Sequence, residues 1–125
     1  MAYARDGLLA YAADRFGVKP DYPWEKYPGY AVLRHRDSGK WFALLAPVPG
    51  DKLGLADPAP VEVVNLKCDP RMIGSLILNE GFAPAYHMNK LYWISVLLNG
   101  RVSDGQIEDL LDMSYALTEN GRKRP

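Results

Sequence analysis

Cysteine is almost absent from this chain of 125 residues, which contains only Cys68. A single cysteine cannot form a disulfide within the chain, and such usage is typical of a reducing compartment. The sequence also lacks an apolar run near the roughly 18 residues that a membrane-spanning helix needs. Its first residues lack the basic and apolar segments of a secretion signal. We therefore expect a cytoplasmic protein that does not contact a membrane.

A net charge is lacking as well, because 15 basic side chains balance 15 acidic ones. Domains that bind nucleic acid usually carry an excess of positive charge, so this balance argues against a general affinity for DNA or RNA. The length matches that of one domain of ordinary size. We expect a single, monomeric domain over residues 1–125.

The motifs of the common enzyme classes are missing. The sequence has no phosphate-binding glycine loop, no nucleophile elbow and no recognisable pair of catalytic carboxylates. Zinc-binding spacings such as C-x-x-C are also absent, and Cys68, His35 and His87 fall on different predicted elements. The sequence therefore predicts no catalytic residue, no metal site and no cofactor.

Hydrophobic periodicity predicts the element order α-β-β-β-α-β-β-α. Helices are expected over 3–16, from Asp69-Pro70 to Gly81, and from Ser103 to Asn120-Gly121. Strands are expected over 30–36, 40–46, 61–67, 84–87 and 91–98. Because strands adjacent in sequence predominate, we predict an α+β fold of two layers, with a mostly antiparallel sheet and helices on one side.

Two segments carry no predicted helix or strand. Residues 47–60 are rich in proline and glycine and are longer than most loops inside a compact domain, so we expect this loop to be mobile or functional. Residues 121–125 include Arg122-Lys123-Arg124 and are expected to fray as a basic tail.

A basic hairpin is one candidate binding surface. Arg34, Arg36 and Lys40 flank the predicted turn at Asp37-Ser38-Gly39. A basic β-ribbon can follow a DNA backbone or enter a groove. The alternative is an edge hairpin that its charges keep soluble.

A second candidate surface surrounds a predicted connection between two strands, at His87, Asn89, Lys90 and Trp93. Asn and Lys side chains in a tight connection can donate to a phosphate or a carboxylate. Lys67 lies beside a predicted helix start, which favours anions. A hypothesis that rests on the order of the elements alone is that Lys67 and Lys90 converge on one anionic group. The structural alternative is that Asn89 and His87 only stabilise the turn.

Cys68 follows a predicted strand and directly precedes a helix start, where the helix dipole can acidify a thiol. Together with His87, it would form a pair of nucleophile and base. The alternative is a small apolar side chain that fills the corner between sheet and helix, which is the usual place of a free cysteine.

Several motifs resemble the MmcQ/YjbR family of small bacterial proteins. They run through nearly the whole chain in the family's order and comprise Tyr22-Pro23-Trp24, Lys40-Trp41-Phe42-Ala43, Leu66-Lys67-Cys68-Asp69-Pro70, Pro84-Ala85-Tyr86-His87-Met88-Asn89-Lys90, Trp93-Ile94-Ser95-Val96 and Ser114-Tyr115. The resemblance implies a CyaY-like fold, similar also to secretion chaperones, and DNA binding through a double-wing arrangement. The 47–60 loop is longer than expected for the family and would obstruct or extend such a surface.

These observations lead to three hypotheses of function. The first is a non-enzymatic binding protein with weak affinity for duplex DNA, whose phosphates would contact Arg34, Arg36, Lys40, Lys67 and Lys90. The second is an adaptor that binds a protein or peptide on the open face of the sheet. The third is an enzyme or a small-ligand-binding protein that uses Cys68 and His87, with Asn89, Lys90 and Trp93 as further ligand contacts.

Overall fold

A computed structural model of the protein describes residues 5–119, so the predicted tail at 121–125 lies outside the described residues. The elements are α1 (Arg5–Phe16), β1 (Ala31–Arg34), β2 (Trp41–Pro49), β3 (Pro60–Lys67), α2 (Pro70–Leu76), β4 (Phe82–Pro84), β5 (Trp93–Leu97) and α3 (Asp104–Leu117). The strands form one antiparallel sheet in the order β1-β2-β3-β5-β4. The predicted α+β class and element order are confirmed.

The main core lies between the sheet and the three helices. Leu8 of α1, Ile73 of α2 and Leu111 of α3 pack into one cluster with sheet residues such as Leu45 and Leu66. Full burial of a side chain of this size stabilises the fold by roughly 1.5–3 kcal/mol. The sheet is therefore fixed from one side and serves as a platform for the residues on its other face.

Helix α2 is shorter than the sequence predicts. Asp69 caps its start by accepting a hydrogen bond, 2.9 Å long, from the backbone N–H two residues on, as expected. The helix ends at Leu76 and does not continue to Gly81. The Asn79 side chain donates to the carbonyl oxygen of Ser75 at 3.3 Å, and the backbone changes to hydrogen bonds between residues three apart. A side chain that competes for helix carbonyls favours a turn at this point.

The predicted loop over residues 47–60 consists largely of strand and tight turn. Strand β2 continues through Pro49, a 3₁₀ turn occupies Gly50–Leu53, and β3 begins at Pro60. Pro47 and Pro49 of β2 have no backbone N–H to donate. Strand β1 pairs with β2 only as far as Leu45, so β2 has no partner on that side at the prolines and the missing donors cost no hydrogen bond. The connection between the two strands is therefore shorter than predicted, by three residues at its start and one at its end.

A β-bulge at Phe42 decides which face of the sheet Trp41 joins. Leu33 pairs with Ala43, whereas the next residue, Arg34, pairs with Trp41, so Phe42 is the extra residue on β2. An extra residue reverses the alternation of side chains along a strand. Phe42 packs in the main core, and Trp41 consequently points to the face opposite the helices.

Helix α3 fastens this hairpin to the sheet. The Ser114 hydroxyl donates to the carbonyl oxygen of Phe42 at 2.6 Å and accepts from the backbone N–H of Lys67 at 2.9 Å. His35, which is buried, places Nε2 2.8 Å from the hydroxyl of Thr118. Burial lowers the pKa of His35 below its ordinary value, which favours the neutral ring. The hairpin is thus held by polar contacts as well as by the core.

Candidate functional site

The face of the sheet opposite the helices carries a concavity of about 370 Å³, which we call the aromatic cup. Its lining consists of Trp24, Tyr27, Tyr30, Trp41, Leu44, His87 and Met88. Leu44 is buried and forms the floor, while the other side chains are half-buried or exposed. Sites for small molecules are concave, mostly apolar and roughly 300–1,000 Å³ in volume, so the cup is a candidate binding site of the smaller kind.

The Trp24 ring meets two other rings of the cup at steep angles. Trp24 is inclined at 84° to Trp41, with 5.5 Å between ring centroids, and at 83° to Tyr30, with 6.0 Å between centroids. Tyr27 is inclined at 35° to Tyr30 at a centroid distance of 5.1 Å. The Trp24 ring therefore stands nearly perpendicular to the rings of both Trp41 and Tyr30.

Backbone hydrogen bonds hold the first wall, the segment before β1, against the sheet. Asp21 and Val32 exchange a pair of N–H to carbonyl bonds of 2.9 and 2.8 Å. Further along, the N–H of Tyr27 donates to the carbonyl of Trp24 at 3.1 Å, and the N–H of Tyr30 donates to that of Tyr27 at 3.0 Å. Two successive turns of this kind bring residues three apart to one side, which places all three rings in the cup.

A buried polar clamp holds the opposite wall, the segment around Tyr86. The backbone N–H of Tyr86 donates to the hydroxyl of Ser95 at 3.1 Å, and its carbonyl accepts from Nδ2 of Asn65 at 2.7 Å. The Ser95 hydroxyl in turn donates to Oδ1 of Asn65. Leu44, Asn65 and Ser95 pair directly across three strands, so the floor of the cup and the clamp are neighbours in one row of the sheet.

His87 follows the clamp and has a left-handed backbone, with φ of 65°. This conformation costs a residue other than glycine of order 1–2 kcal/mol, and it persists where the surroundings fix the chain. The His87 ring lies 4.0 Å from the centroid of Tyr86 and 6.5 Å from that of Tyr30. The strained backbone directs the imidazole to the rim of the cup, which is a feature typical of ligand sites.

The cup offers aromatic faces and few charges. No lysine, arginine, aspartate or glutamate lines it. Arg34 lies beside it, with Cζ 5.8 Å from the centroid of Trp41, and its Nε donates to a carboxylate oxygen of Asp21 at 3.0 Å. Burial, together with two neighbouring phenol groups, raises the pKa of Tyr30, so its hydroxyl is neutral.

The predicted DNA-contacting residues of the hairpin differ in their surroundings. Arg34 forms the ion pair with Asp21. Arg36 and Lys40 are exposed on either side of the turn, and none of the ion pairs within residues 5–119 involves them. Two of the three charges are therefore available to a phosphate backbone, and DNA binding stays a prediction.

The other predicted binding residues lie around the start of β5. Lys67 places Nζ 5.9 Å from the ring centroid of Tyr92, while Lys90 is exposed in the turn before it. Asn89 has a structural role, because its side chain accepts from the N–H of Leu91 at 2.8 Å. Trp93 is half-buried and does not line the cup. Of this predicted group, His87 alone lines the cup.

Cys68 is buried in the main core, on the helix side of the sheet. Burial, with a further contribution from Asp69, raises the pKa of its thiol. A protonated thiol in an apolar environment is a poor nucleophile, and His87 lies on the opposite face. The contacts of Cys68 agree with the apolar role and do not support the pair of nucleophile and base.

Residues 5–119 contain neither a cluster of metal-ligating side chains nor a membrane-spanning helix. No three His, Cys, Asp or Glu side chains there are grouped so that they could hold a metal ion. None of the helices in that range is both long and apolar enough to cross a bilayer.

The cup, with its lining residues Trp24, Tyr27 and Trp41, was not predicted from the sequence. One signal was available, namely three aromatic residues spaced three apart at Trp24, Tyr27 and Tyr30. Trp41 gave no such signal, since its direction depends on the bulge at Phe42.

Known proteins share this sequence pattern and fold. The YjbR family model matches residues 14–117. The protein YyaQ of Bacillus subtilis (strain 168) is 40% identical over 115 residues, which cover 92% of this chain and 98% of YyaQ. A crystal structure of a Pseudomonas syringae protein is 46% identical with a TM-score of 0.90, covering 93% of this chain and 99% of that one.

A more distant relative shows the fold alone. The crystal structure of Deinococcus radiodurans protein DR2400 is 24% identical to this chain, with a TM-score of 0.73, and the match covers 98% of this chain and 84% of that one. The family model and YyaQ each account for most of the chain, which confirms the resemblance found in the motifs. This chain belongs to the YjbR family.

Proposed function

We propose that this protein is a non-enzymatic binding protein and that the aromatic cup is its ligand site. The observation that carries the proposal is that four aromatic rings surround one concavity between two separately fastened segments. Three of the rings belong to the segment before β1 and the fourth is Trp41 of β2, while the second segment contributes His87 and Met88. Partly exposed rings gathered on one surface patch are typical of interaction sites. The cup suits a small ligand, or a single group of a larger one.

The cup is preformed, and this supports binding. Its first wall is held by backbone hydrogen bonds and its second by the Asn65 and Ser95 clamp. A site whose side chains are already ordered loses little conformational entropy when a ligand enters. A fragment of eight to ten heavy atoms that gains about 0.4 kcal/mol per atom would bind with a millimolar dissociation constant.

A titration with benzyl alcohol tests the site with a neutral probe of this size. We expect the tryptophan emission to change along a saturable curve with a millimolar Kd, because Trp24 and Trp41 line the cup. N-acetyltryptophanamide, titrated in parallel, gives the response of a tryptophan that has no site. A linear response that equals this reference would contradict the proposal.

DNA binding through the hairpin is a second candidate, favoured by the exposed Arg36 and Lys40. Two phosphate contacts would give a salt slope of about −1.8, so duplex affinity would fall about tenfold between roughly 50 and 200 mM salt. We expect this binding to be lost in the double variant Arg36→Ala, Lys40→Ala, measured by fluorescence anisotropy. The matched control is Lys19→Ala, Lys52→Ala, which removes two exposed charges elsewhere.

The DNA candidate is rejected if a labelled duplex shows no binding at the lower salt up to roughly 100 µM protein, which is near the weak limit of non-specific affinity. It is also rejected if the control pair weakens binding as much as the hairpin pair does. Neither result affects the cup, since neither Arg36 nor Lys40 lines it.

A further inference from the structure

The rings of the cup form a box. Trp24 stands at 84° to Trp41 and at 83° to Tyr30, and all three line the same concavity. A group inside such a box meets aromatic walls from more than one direction. The face of an aromatic ring attracts a cation within about 6 Å of its centroid, and tryptophan attracts it most strongly.

A cation of the protein itself already lies beside one of these rings. The Arg34 guanidinium is 5.8 Å from the centroid of Trp41. Its charge is offset by Asp21, whose carboxylate lies 3.0 Å away, so a second cation would not meet an uncompensated charge at the rim. The Trp41 ring thus already has a cation beside it, and the pairing of that cation with Asp21 limits its repulsion of a second one.

The polar groups of the lining narrow the kind of cation. A primary ammonium carries three N–H donors that need acceptors when it is buried. The polar side chains of the lining are Tyr27, Tyr30 and His87, and none of them is a carboxylate that would balance the charge of such a donor. A carboxylate or phosphate is bound most strongly by charged donors, and no lysine or arginine lines the cup either. A methylated ammonium has a positive charge and an apolar surface, and it needs no hydrogen-bond partner.

We propose that the aromatic cup selects a trimethylammonium group, which either a small molecule or a trimethylated lysine side chain of a peptide would supply. This inference rests on the proposed function, because it names the ligand class of the same site. The volume of about 370 Å³ leaves room for the first atoms of the chain that carries the group.

The decisive experiment compares choline with 3,3-dimethylbutan-1-ol, its uncharged carbon analogue of the same shape. We expect choline to bind with a Kd at least fivefold lower, as the measured strength of cation–π contacts implies. Equal affinity, or tighter binding of the alcohol, would overturn the inference but leave the cup as an apolar site. If choline, the alcohol and benzyl alcohol all fail to bind, the proposed function itself is wrong.

The variant Trp41→Leu separates the charge effect from the apolar effect, because it removes the aromatic face and keeps apolar contact. We expect choline to lose its advantage over the alcohol, while the Kd of the alcohol changes less than twofold. Tyr27→Leu, at a residue that is 54% exposed, provides a second variant if the first is poorly folded. An unchanged ratio in whichever variant shows a wild-type thermal transition contradicts the assignment.

A comparison of peptide ligands with choline identifies the source of the trimethylammonium group. A short peptide with one trimethyllysine is compared with choline and with the same peptide carrying unmodified lysine. Tighter binding of the trimethylated peptide indicates a protein partner, and tighter binding of choline indicates a small molecule. Binding of the unmodified peptide at equal strength would overturn the selection of methylated ammonium.

Discussion

Asn65→Asp is expected to lower the free energy of unfolding by about 3 kcal/mol at neutral pH, as measured by urea denaturation. Asn65 is 1% exposed, and its Nδ2 donates to the carbonyl of Tyr86 at 2.7 Å. An aspartate side chain has the same shape but no N–H, so it would set a buried carboxylate against that carbonyl. The clamp on the second wall of the cup would lose its donor and gain an unpaired charge.

The loss in Asn65→Asp should depend on pH. Burial raises the pKa of the new carboxyl above its value in the unfolded chain. The penalty is therefore present at high pH and declines as the pH falls through the folded-state pKa, because the protonated carboxyl can donate to Tyr86 again. The stability difference from the wild type should become smaller on acidification.

Asn99→Asp is the matched control for this variant. Asn99 is exposed, and its Oδ1 accepts from the N–H of Arg101 at 3.2 Å, a bond that an aspartate keeps. We expect a change within about 0.5 kcal/mol, which is usual for surface substitutions. If the two variants lose equal stability, or if the loss at Asn65 is independent of pH, the clamp does not have the role assigned to it.

Trp24→Ala is expected to weaken the binding of benzyl alcohol at least tenfold, which corresponds to about 1.4 kcal/mol or more. The Trp24 ring is nearly perpendicular to the rings of both Trp41 and Tyr30. Its removal opens the cup to water and takes away one of the two indole surfaces in the lining. The Kd is measured by NMR from the chemical shifts of Tyr27 and Leu44, whose signals remain in the variant.

Tyr22→Ala provides the comparison for Trp24→Ala. Tyr22 is an aromatic residue of the same segment, 50% exposed and outside the cup lining. We expect its removal to change the Kd less than twofold. Equal losses in the two variants would indicate a general disturbance of the segment and would argue against a direct contact by Trp24.

Much of the fold could be predicted because its signals are local. The cap at Asp69 and the periodic apolar residues of the helices lie within a few positions of one another, so the element order follows from them. The extent of β2 could not be predicted in this way. Val48 belongs to a strand because it packs against Leu97 and Val63, which are distant in sequence.

The candidate site was harder to predict, since it depends on register. His87 was found from its position in a tight connection. The roles of Trp41 and Asn65 were not, because one depends on the bulge at Phe42 and the other on pairing between β3 and β5. The pairing of Arg34 with Asp21 is likewise a tertiary contact, and it reduces the charge that the hairpin offers.

The most direct test of the cup as a ligand site follows the indole N–H signals in a two-dimensional NMR spectrum. The chain has three tryptophans, of which Trp24 and Trp41 line the cup while Trp93 does not. On titration with choline or benzyl alcohol to about 10 mM, which suits a millimolar Kd, we expect the signals of Trp24 and Trp41 to move along saturable curves and that of Trp93 to stay. Three unchanged signals, or a shift of Trp93 as large as the others, would contradict the account.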